Sequence, residues 1–189
     1  MKFKNEYMEF EQTEIEDVLL LKPDIFRDRR GIFLESYRKS LFRERGLNID
    51  FVQDNISSSK KGAIRGLHYQ IENPQDKLIM VMQGKILDVA VDLRRSSPTF
   101  GKNVTRIISE ENRHQLFIPK GFAHGFAVLS DETLVYYKCS DYYNPEGERG
   151  LFWNDPALGI DWKVTDPVIS DKDRHQPNLN EIPKEDLFN

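Results

Sequence analysis

Only one cysteine, Cys139, occurs in the 189 residues, which excludes an intrachain disulfide and suits a reducing compartment. Basic residues are not in excess: 27 Lys+Arg against 31 Asp+Glu leave a net charge of −4. A general nucleic-acid binder is thereby disfavoured, because neutralising phosphates needs a basic face. No apolar run approaches the roughly 18 residues that a membrane helix requires. The N-terminal MKFKNEYMEFEQTE alternates charges with isolated apolar residues, so it lacks the apolar stretch of a secretory signal. No repeat, low-complexity tract or Gly/Ser linker divides the chain. The expectation is one cytoplasmic domain spanning residues 1–189, with no membrane or nucleic-acid partner and long enough to bury a core without disulfides or a structural metal.

What is present is a succession of short period-2 runs separated by turn residues. In Lys85–Asp92 and the following Leu93, the side chains of Leu87, Val89, Val91 and Leu93 share one face, while Asp88 and Asp92 share the other. That pattern predicts a half-buried strand. A second run, Lys77–Gln83, is closed by Gly84, and the two together predict a hairpin. Further strands are predicted over residues 32–37, 51–56, 63–68, 104–108, 115–118, 123–129 and 133–139. Their close spacing points to an antiparallel sandwich or barrel rather than alternating β and α. Helix is scarce: residues 40–45, stopped by Gly46, form the one short candidate. The last forty residues carry Pro156, Pro167, Pro177 and Pro183 with little periodicity, and are expected to wrap the surface. The first dozen are expected to be either an added strand or a disordered arm.

Three segments carry residues suited to chemistry. In Arg65-Gly66-Leu67-His68-Tyr69-Gln70, a histidine able to exchange protons near neutral pH stands at the end of a strand. Read alone, a histidine on a strand is more often structural than catalytic. Strict alternation puts Arg65 and His68 on opposite faces, so a shared site requires a bulge, for which Gly66 is the candidate. In Pro119-Lys120-Gly121-Phe122-Ala123-His124, the spacing Pro-x-Gly-x-x-His resembles the second motif of the cupin superfamily. His124 then shares its face with Phe122, Phe126 and Val128. The first cupin motif supplies two histidines two apart and a glutamate seven residues before a glycine. Here His68 is followed by Gln70, and Lys77 stands seven before Gly84. A protonated amine has no lone pair for a metal, which prefers imidazole and carboxylate, so no metal site is expected. Lys77 instead offers positive charge to an oxyanion, or is simply a strand residue reaching for solvent. In Thr133-Leu134-Val135-Tyr136-Tyr137-Lys138-Cys139, alternation turns Tyr137 inward with Val135 and Cys139, where a phenol is a proton donor.

Taken together, eight ordered segments resemble the dTDP-4-dehydrorhamnose 3,5-epimerases, a family of cupin fold. They are RGIFLESY (30–37), FVQDNISSS (51–59), RGLHYQ (65–70), GKILDVAVDLRRSSPTFG (84–101), LFIPKGFAHGF (116–126), YKCSDYY (137–143), WNDPALGIDW (153–162) and SDKD (170–173). The resemblance implies a mainly β fold, a cupin-type double-stranded β-helix (jelly-roll barrel) with few short helices. It implies a metal-independent isomerase that acts on dTDP-4-dehydro-6-deoxy-D-glucose without a cofactor. Protons at C3 and C5 flank the C4 ketone, so removing either leaves an enolate. The chemistry then needs a base, an oxyanion stabiliser and an acid on the opposite face.

By the same resemblance, His68 is the base, Asp173 supports it, Lys77 faces the developing O4 charge, and Tyr137 reprotonates. Arg65 and Lys172 match positions that face the pyrophosphate, His124 and Glu148 match binding positions, and Tyr143 matches the ring that stacks on thymine. Arg30, Phe33, Glu35, Gln53, Asp54 and Asn55 also match binding positions, with Phe33 as a second stacking ring. Part of the nucleotide site comes from a neighbouring subunit in this family, so a homodimer with exchanged N-terminal strands is implied. Two positions depart from the pattern: Asp76 where glycine is common, and Lys163 where proline is usual. The rival readings are an epimerase acting at C3 or C5 alone, a cupin ketoisomerase, and a sugar-nucleotide binding protein without activity.

Overall fold

The computed structural model describes residues 2–4 and 7–189. Two antiparallel sheets face each other, and a small hairpin stands apart. The strands are β1 (Lys2–Lys4), β2 (Met8–Gln12), β3 (Leu19–Pro23), β4 (Phe26–Asp28), β5 (Gly31–Phe33), β6 (Gln53–Lys60), β7 (Ile64–Gln70), β8 (Lys77–Gln83), β9 (Lys85–Asp92), β10 (Asn103–Ser109), β11 (Gln115–Ile118), β12 (Phe122–Val128), β13 (Glu132–Cys139) and β14 (Glu148–Gly150). Helix is confined to α1 (Lys39–Glu44), α2 (Asp171–Arg174) and two 3-10 turns near the C-terminus. The seven-stranded sheet runs β1-β2-β3-β11-β8-β13-β6, and the five-stranded sheet β10-β9-β12-β7-β14. This is the cupin-type jelly roll. The first dozen residues contribute strands β1 and β2, of the two alternatives the one that extends a sheet.

The predicted hairpin at Gly84 does not form. Strand β8 pairs with β11 and β13, whereas β9 pairs with β10 and β12, so Gly84 is the corner where the chain leaves one sheet for the other. Its φ of +82° and a virtual Cβ only 2.4 Å from the Glu132 carbonyl oxygen both demand glycine there. A tight turn and a corner make the same demand on the residue, which is why sequence alone did not separate them. Strand β5 is also shorter than predicted: beyond Phe33 the chain leaves the β4–β5 hairpin and runs to α1.

Strand β9 is buried on both faces rather than one. Ile86 and Ala90 point between the sheets, where they join Ile79, Val81, Leu116, Ile118, Phe122, Phe126, Val128 and Val135. Leu87, Val89, Val91 and Leu93 point the other way, under Leu151, Leu158, Trp162, Ile169 and Ile182 of the C-terminal segment. That segment wraps the five-stranded sheet as expected, because the apolar outer face of β9 would otherwise meet water. Trp162 satisfies its indole by donating to the Trp153 carbonyl at 2.8 Å. On the outside of the seven-stranded sheet, α1 buries Leu41 and Phe42 against Phe10, Leu78 and Phe117. Gly46, at φ +78°, ends that helix as expected. The core fills one end of the barrel, and the other end is hollow.

Candidate active site

The hollow end is a cavity of about 690 Å³, whose wall includes Arg65, His68, Lys77, His124, Phe126, Tyr137, Lys172 and Asp173. A second compartment of about 320 Å³ shares His68, Lys77 and Tyr137 and adds Gln53, Asn55, Cys139, Tyr143 and Glu148. The two side chains from β8 and β13, Lys77 and Tyr137, stand on the seven-stranded sheet; His68 and His124 stand on the five-stranded sheet. A ligand between the sheets therefore has the histidines on one side and the amine and phenol on the other.

Arg65 and His68 both reach the cavity because β7 bulges. His124 pairs with His68 and Phe126 with Arg65, so two steps along β12 match three along β7. Gly66 sits in the bulge at φ +112°, with its virtual Cβ 2.6 Å from the Gly125 Cα, so no side chain fits there. The extra residue turns Leu67 outward into the packing under the C-terminal segment.

Asp173 comes from α2, whose first turn is capped by Ser170, its hydroxyl accepting from the Asp173 N–H at 3.1 Å. The carboxylate is 3% exposed and lies 2.6 Å from His68 Nε2. A second contact, from the Gly66 N–H to Oδ2, is 3.5 Å long. Burial pushes the Asp173 carboxyl upward, but the His68 hydrogen bond and charge, with help from Ser170 and Gly66, hold it below its ordinary value. His68 is thus anchored through Nε2, and its Nδ1 has no partner among the described residues.

The Lys77 side chain makes no hydrogen bond or ion pair among the described residues. Burial pushes its ammonium below the ordinary lysine value, opposed by Cys139, Glu148 and Asp88. Tyr137 is half-buried, and burial, reinforced by Cys139 and Glu148 against Arg65, pushes its phenol up. It remains a proton donor at neutral pH. Arg65 is held at the mouth by Ser59 Oγ at 2.8 Å and the Ser58 carbonyl at 3.3 Å. Glu148 receives Lys172 Nζ at 2.5 Å and the Tyr143 hydroxyl at 2.8 Å. Desolvation raises the Glu148 carboxyl, yet Lys172 and Tyr143 together bring it below its usual value.

Other expected binding residues are placed less uniformly. Gln53 and Asn55 face the second compartment, Gln53 Oε1 accepting from the Tyr143 N–H at 2.8 Å. Asp54 lies between them on the strand and turns to the opposite face, where Lys138 Nζ binds it at 2.7 Å. Arg30 sits on the β4–β5 hairpin and pairs with Asp28 at 2.6 Å. Phe33 is 71% exposed on the same hairpin, and Glu35 pairs with Arg38 at 2.6 Å. None of Arg30, Phe33 and Glu35 reaches the cavity of its own chain.

Asp76, the departure beside Lys77, does not pair with it: its carboxylate accepts from Ser140 Oγ at 2.9 Å and the Lys120 N–H at 3.1 Å. One participant escaped the sequence reading. Asp88 was placed on the polar outer face of β9, whereas it is fully buried and lies 2.5 Å from His124 Nε2. The available signal was an acid in the middle of an otherwise apolar strand. No group of three or more His, Cys, Asp or Glu able to hold a metal occurs among the described residues. No helix among them is long and apolar enough to cross a membrane.

A jelly roll whose open end joins a carboxylate-backed histidine to a lysine and a tyrosine from the facing sheet has the makings of a proton-transfer isomerase, and comparison with known proteins agrees. The family model described as dTDP-4-dehydrorhamnose 3,5-epimerase matches residues 12–181, and the chain belongs to that family. It is 54% identical over 167 residues to the dTDP-4-dehydrorhamnose 3,5-epimerase of Neisseria gonorrhoeae. That alignment covers 88% of this chain and 51% of the relative, so the chain spans about half the relative's length. The crystal structure of dTDP-6-deoxy-D-glucose-3,5-epimerase from Legionella pneumophila Philadelphia 1, in complex with dTDP-4-keto-L-rhamnose, superposes with a TM-score of 0.94 at 47% identity, covering 96% of this chain and 98% of that one. A 3'-monoepimerase from Streptomyces bikiniensis, in complex with dTDP-quinovose, gives a TM-score of 0.83 at 34% identity, covering 89% and 87%.

Proposed function

We propose that this chain converts dTDP-4-dehydro-6-deoxy-D-glucose to dTDP-4-dehydro-L-rhamnose by enolisation at C3 and at C5. The observation that supports it most is the division of the cavity between sheets: the His68–Asp173 pair on one side, Lys77 and Tyr137 on the other. In the gluco configuration H3 and H5 lie on the same face of the ring, so one base serves both carbons. His68 removes the proton, and Asp173 stabilises the imidazolium that forms. Lys77, whose amine is unpaired among the described residues, meets the charge developing on O4; one such donor is worth roughly 2.7–4 kcal/mol in the transition state. Tyr137 returns a proton from the opposite face, and that inverts the centre.

Arg65 and Lys172 are the cations assigned to the diphosphate, and arginine's fork suits phosphate oxygens. Tyr143 is the ring assigned to thymine, with Gln53, Asn55, His124 and Glu148 around the sugar nucleotide. The exposed hairpin bearing Arg30 and Phe33, followed by Glu35, is assigned to the site of a second copy in a cytoplasmic homodimer. Its apolar side chains Phe26 (52% exposed), Ile32 (40%) and Phe33 (71%) stand open to solvent in the single chain.

The test is NMR of the substrate incubated with the protein in deuterated water. Deuterium entering both C3 and C5 is expected, with a coupled reductase confirming the L configuration, and His68→Ala is expected to abolish both exchanges. Exchange in that variant at the wild-type rate refutes the base assignment. The similarity to a 3'-monoepimerase favours, as the second reading, an enzyme acting at one carbon; label at a single carbon selects it. No label, with thymine resonances broadened by binding, selects a binding protein.

A further inference from the structure

His68 and His124 are direct partners across β7 and β12, and both face the same cavity. Each gives Nε2 to a carboxylate: His68 to Asp173 at 2.6 Å, His124 to Asp88 at 2.5 Å. The cavity wall thus carries two histidine–carboxylate pairs side by side. Only the first is assigned to proton transfer in the reaction outlined above; of the second, His124 is assigned to binding and Asp88 to nothing.

The second pair is built with the deeper burial. Asp88 is 0% exposed, and its Oδ2 is buried with no hydrogen-bond partner, so the His124 ring is the one polar partner of its carboxylate among the described residues. A carboxylate buried on an apolar strand costs stability unless a favourable partner offsets it. A neutral residue of the same size would stand on the inner face with Ile86 and Ala90 without that cost. His124 is 7% exposed and its Nδ1 has no partner among the described residues. With Nε2 committed to Asp88, Nδ1 is the ring atom left for a ligand. The negative charge of Asp88 also opposes the lowering of the Lys77 ammonium by burial, after the larger effects of Cys139 and Glu148.

We infer that Asp88 is a positioning residue for the epimerisation, fixing the His124 ring so that Nδ1 contacts the sugar. The inference rests on the function proposed above. Asp88 touches no substrate; it acts through His124, which does. The titratable and charged groups that line the two compartments with Lys77 are Tyr137 and Cys139 from β13, Arg65, His68 and Tyr69 from β7, His124 from β12, Tyr143 and Glu148 at and before β14, and Lys172 and Asp173 from α2, with Asp88 on β9 behind His124. From β11 its partner is the apolar Ile118. Asp173 on α2 is already engaged by His68.

Asp88→Asn keeps size and an acceptor oxygen but removes the charge. Deuterium wash-in at C3 and C5 is measured against pH for wild type, Asp88→Asn, His124→Gln and the double variant. The expected loss in kcat for Asp88→Asn is about ten- to a hundredfold, that of one charge-assisted hydrogen bond, with KM little changed. Burial already lowers the Lys77 value and Asp88 opposes this, so removing the charge moves the alkaline limb of kcat/KM to lower pH. His124→Gln lowers kcat without moving that limb, and the double variant is no slower than Asp88→Asn. A merely structural carboxylate would change the melting temperature and leave the limb in place. Wild-type kcat and an unmoved limb in Asp88→Asn overturn the inference, as do losses that multiply in the double variant. Should Asp88→Asn not fold, His124→Gln exchanging at the wild-type rate overturns it instead. Absence of exchange in the wild type is a different result: it removes the proposed reaction, and this inference falls with it.

Discussion

Replacing Asp173 by asparagine tests the support of the base at a single atom pair. His68 Nε2 lies 2.6 Å from Oδ1, and the Gly66 N–H lies 3.5 Å from Oδ2. An amide has one acceptor and one donor end, so two arrangements are available. With its oxygen toward His68, the hydrogen bond survives but the imidazolium formed during catalysis loses its anionic partner. A charge-assisted bond exceeds a neutral one by about 1–1.5 kcal/mol, which costs roughly tenfold in kcat. With its nitrogen toward His68, the amide donates to Nε2 and drives the ring hydrogen onto Nδ1, where the lone pair needed to take a substrate proton is lost. A wrong tautomer of this kind is worth up to about 10⁴ in kcat. The expected fall therefore lies between about tenfold and about 10⁴, with KM changed far less, because Asp173 sits behind the ring rather than against the sugar. The assay is the initial rate of deuterium incorporation at C3, with thermal unfolding of the same sample as the control for folding. A folded Asp173→Asn protein within twofold of the wild-type rate would refute the supporting role assigned to the carboxylate.

Two further expectations concern other parts of the molecule. Tyr137→Phe removes the donor from the seven-stranded sheet but leaves His68 and Asp173 in place, so substrate hydrogens should still wash out while the yield of inverted product falls; retention of full inversion by mass-balanced NMR would remove Tyr137 as the acid. Asp92 is fully buried and accepts from Arg94 Nε at 2.9 Å, Ser97 Oγ at 2.7 Å and Thr99 Oγ1 at 2.6 Å. Asp92→Asn should cost about 3 kcal/mol and lower Tm by about 6–12 °C in a chain of this size. Burial raises the Asp92 carboxyl, but these hydrogen bonds outweigh it and depress the folded-state value. Its contribution is therefore present above the unfolded carboxylate value and is lost as pH falls through the lower folded one. Urea midpoints measured down the acid range should converge for wild type and Asp92→Asn, and parallel curves would count against the linkage.

Period-2 patterning located most of the strands, because alternation is the local consequence of one face packing on a core. Lys77–Gln83 and Gln115–Ile118 were legible residue for residue. The bulge in β7 was legible too: Arg65 and His68 stand three apart, which strict alternation cannot bring to one side, and the glycine between them was the place to resolve it. Asp54 shows the same rule neglected, since its neighbours Gln53 and Asn55 face the site and a strand sends the residue between them the other way. The corner at Gly84 was not legible, because positive φ serves a hairpin and a sheet change alike.

The sequence by itself determined most of the central strands, the family to which the chain belongs and the side chains proposed to carry the chemistry, all of which reside in local pattern and residue type; β3, β4, β14 and α2 were not read from it. Only the tertiary structure decided what each face meets. Alternation separates the two faces of β9 but does not say that the C-terminal segment covers one while the other lines a cavity. Asp88 therefore read as a solvated acid until β12 was laid beside it and placed His124 within 2.5 Å. The same holds for Asp173, 105 residues from His68, whose pairing depends on where α2 comes to rest and not on any spacing along the chain.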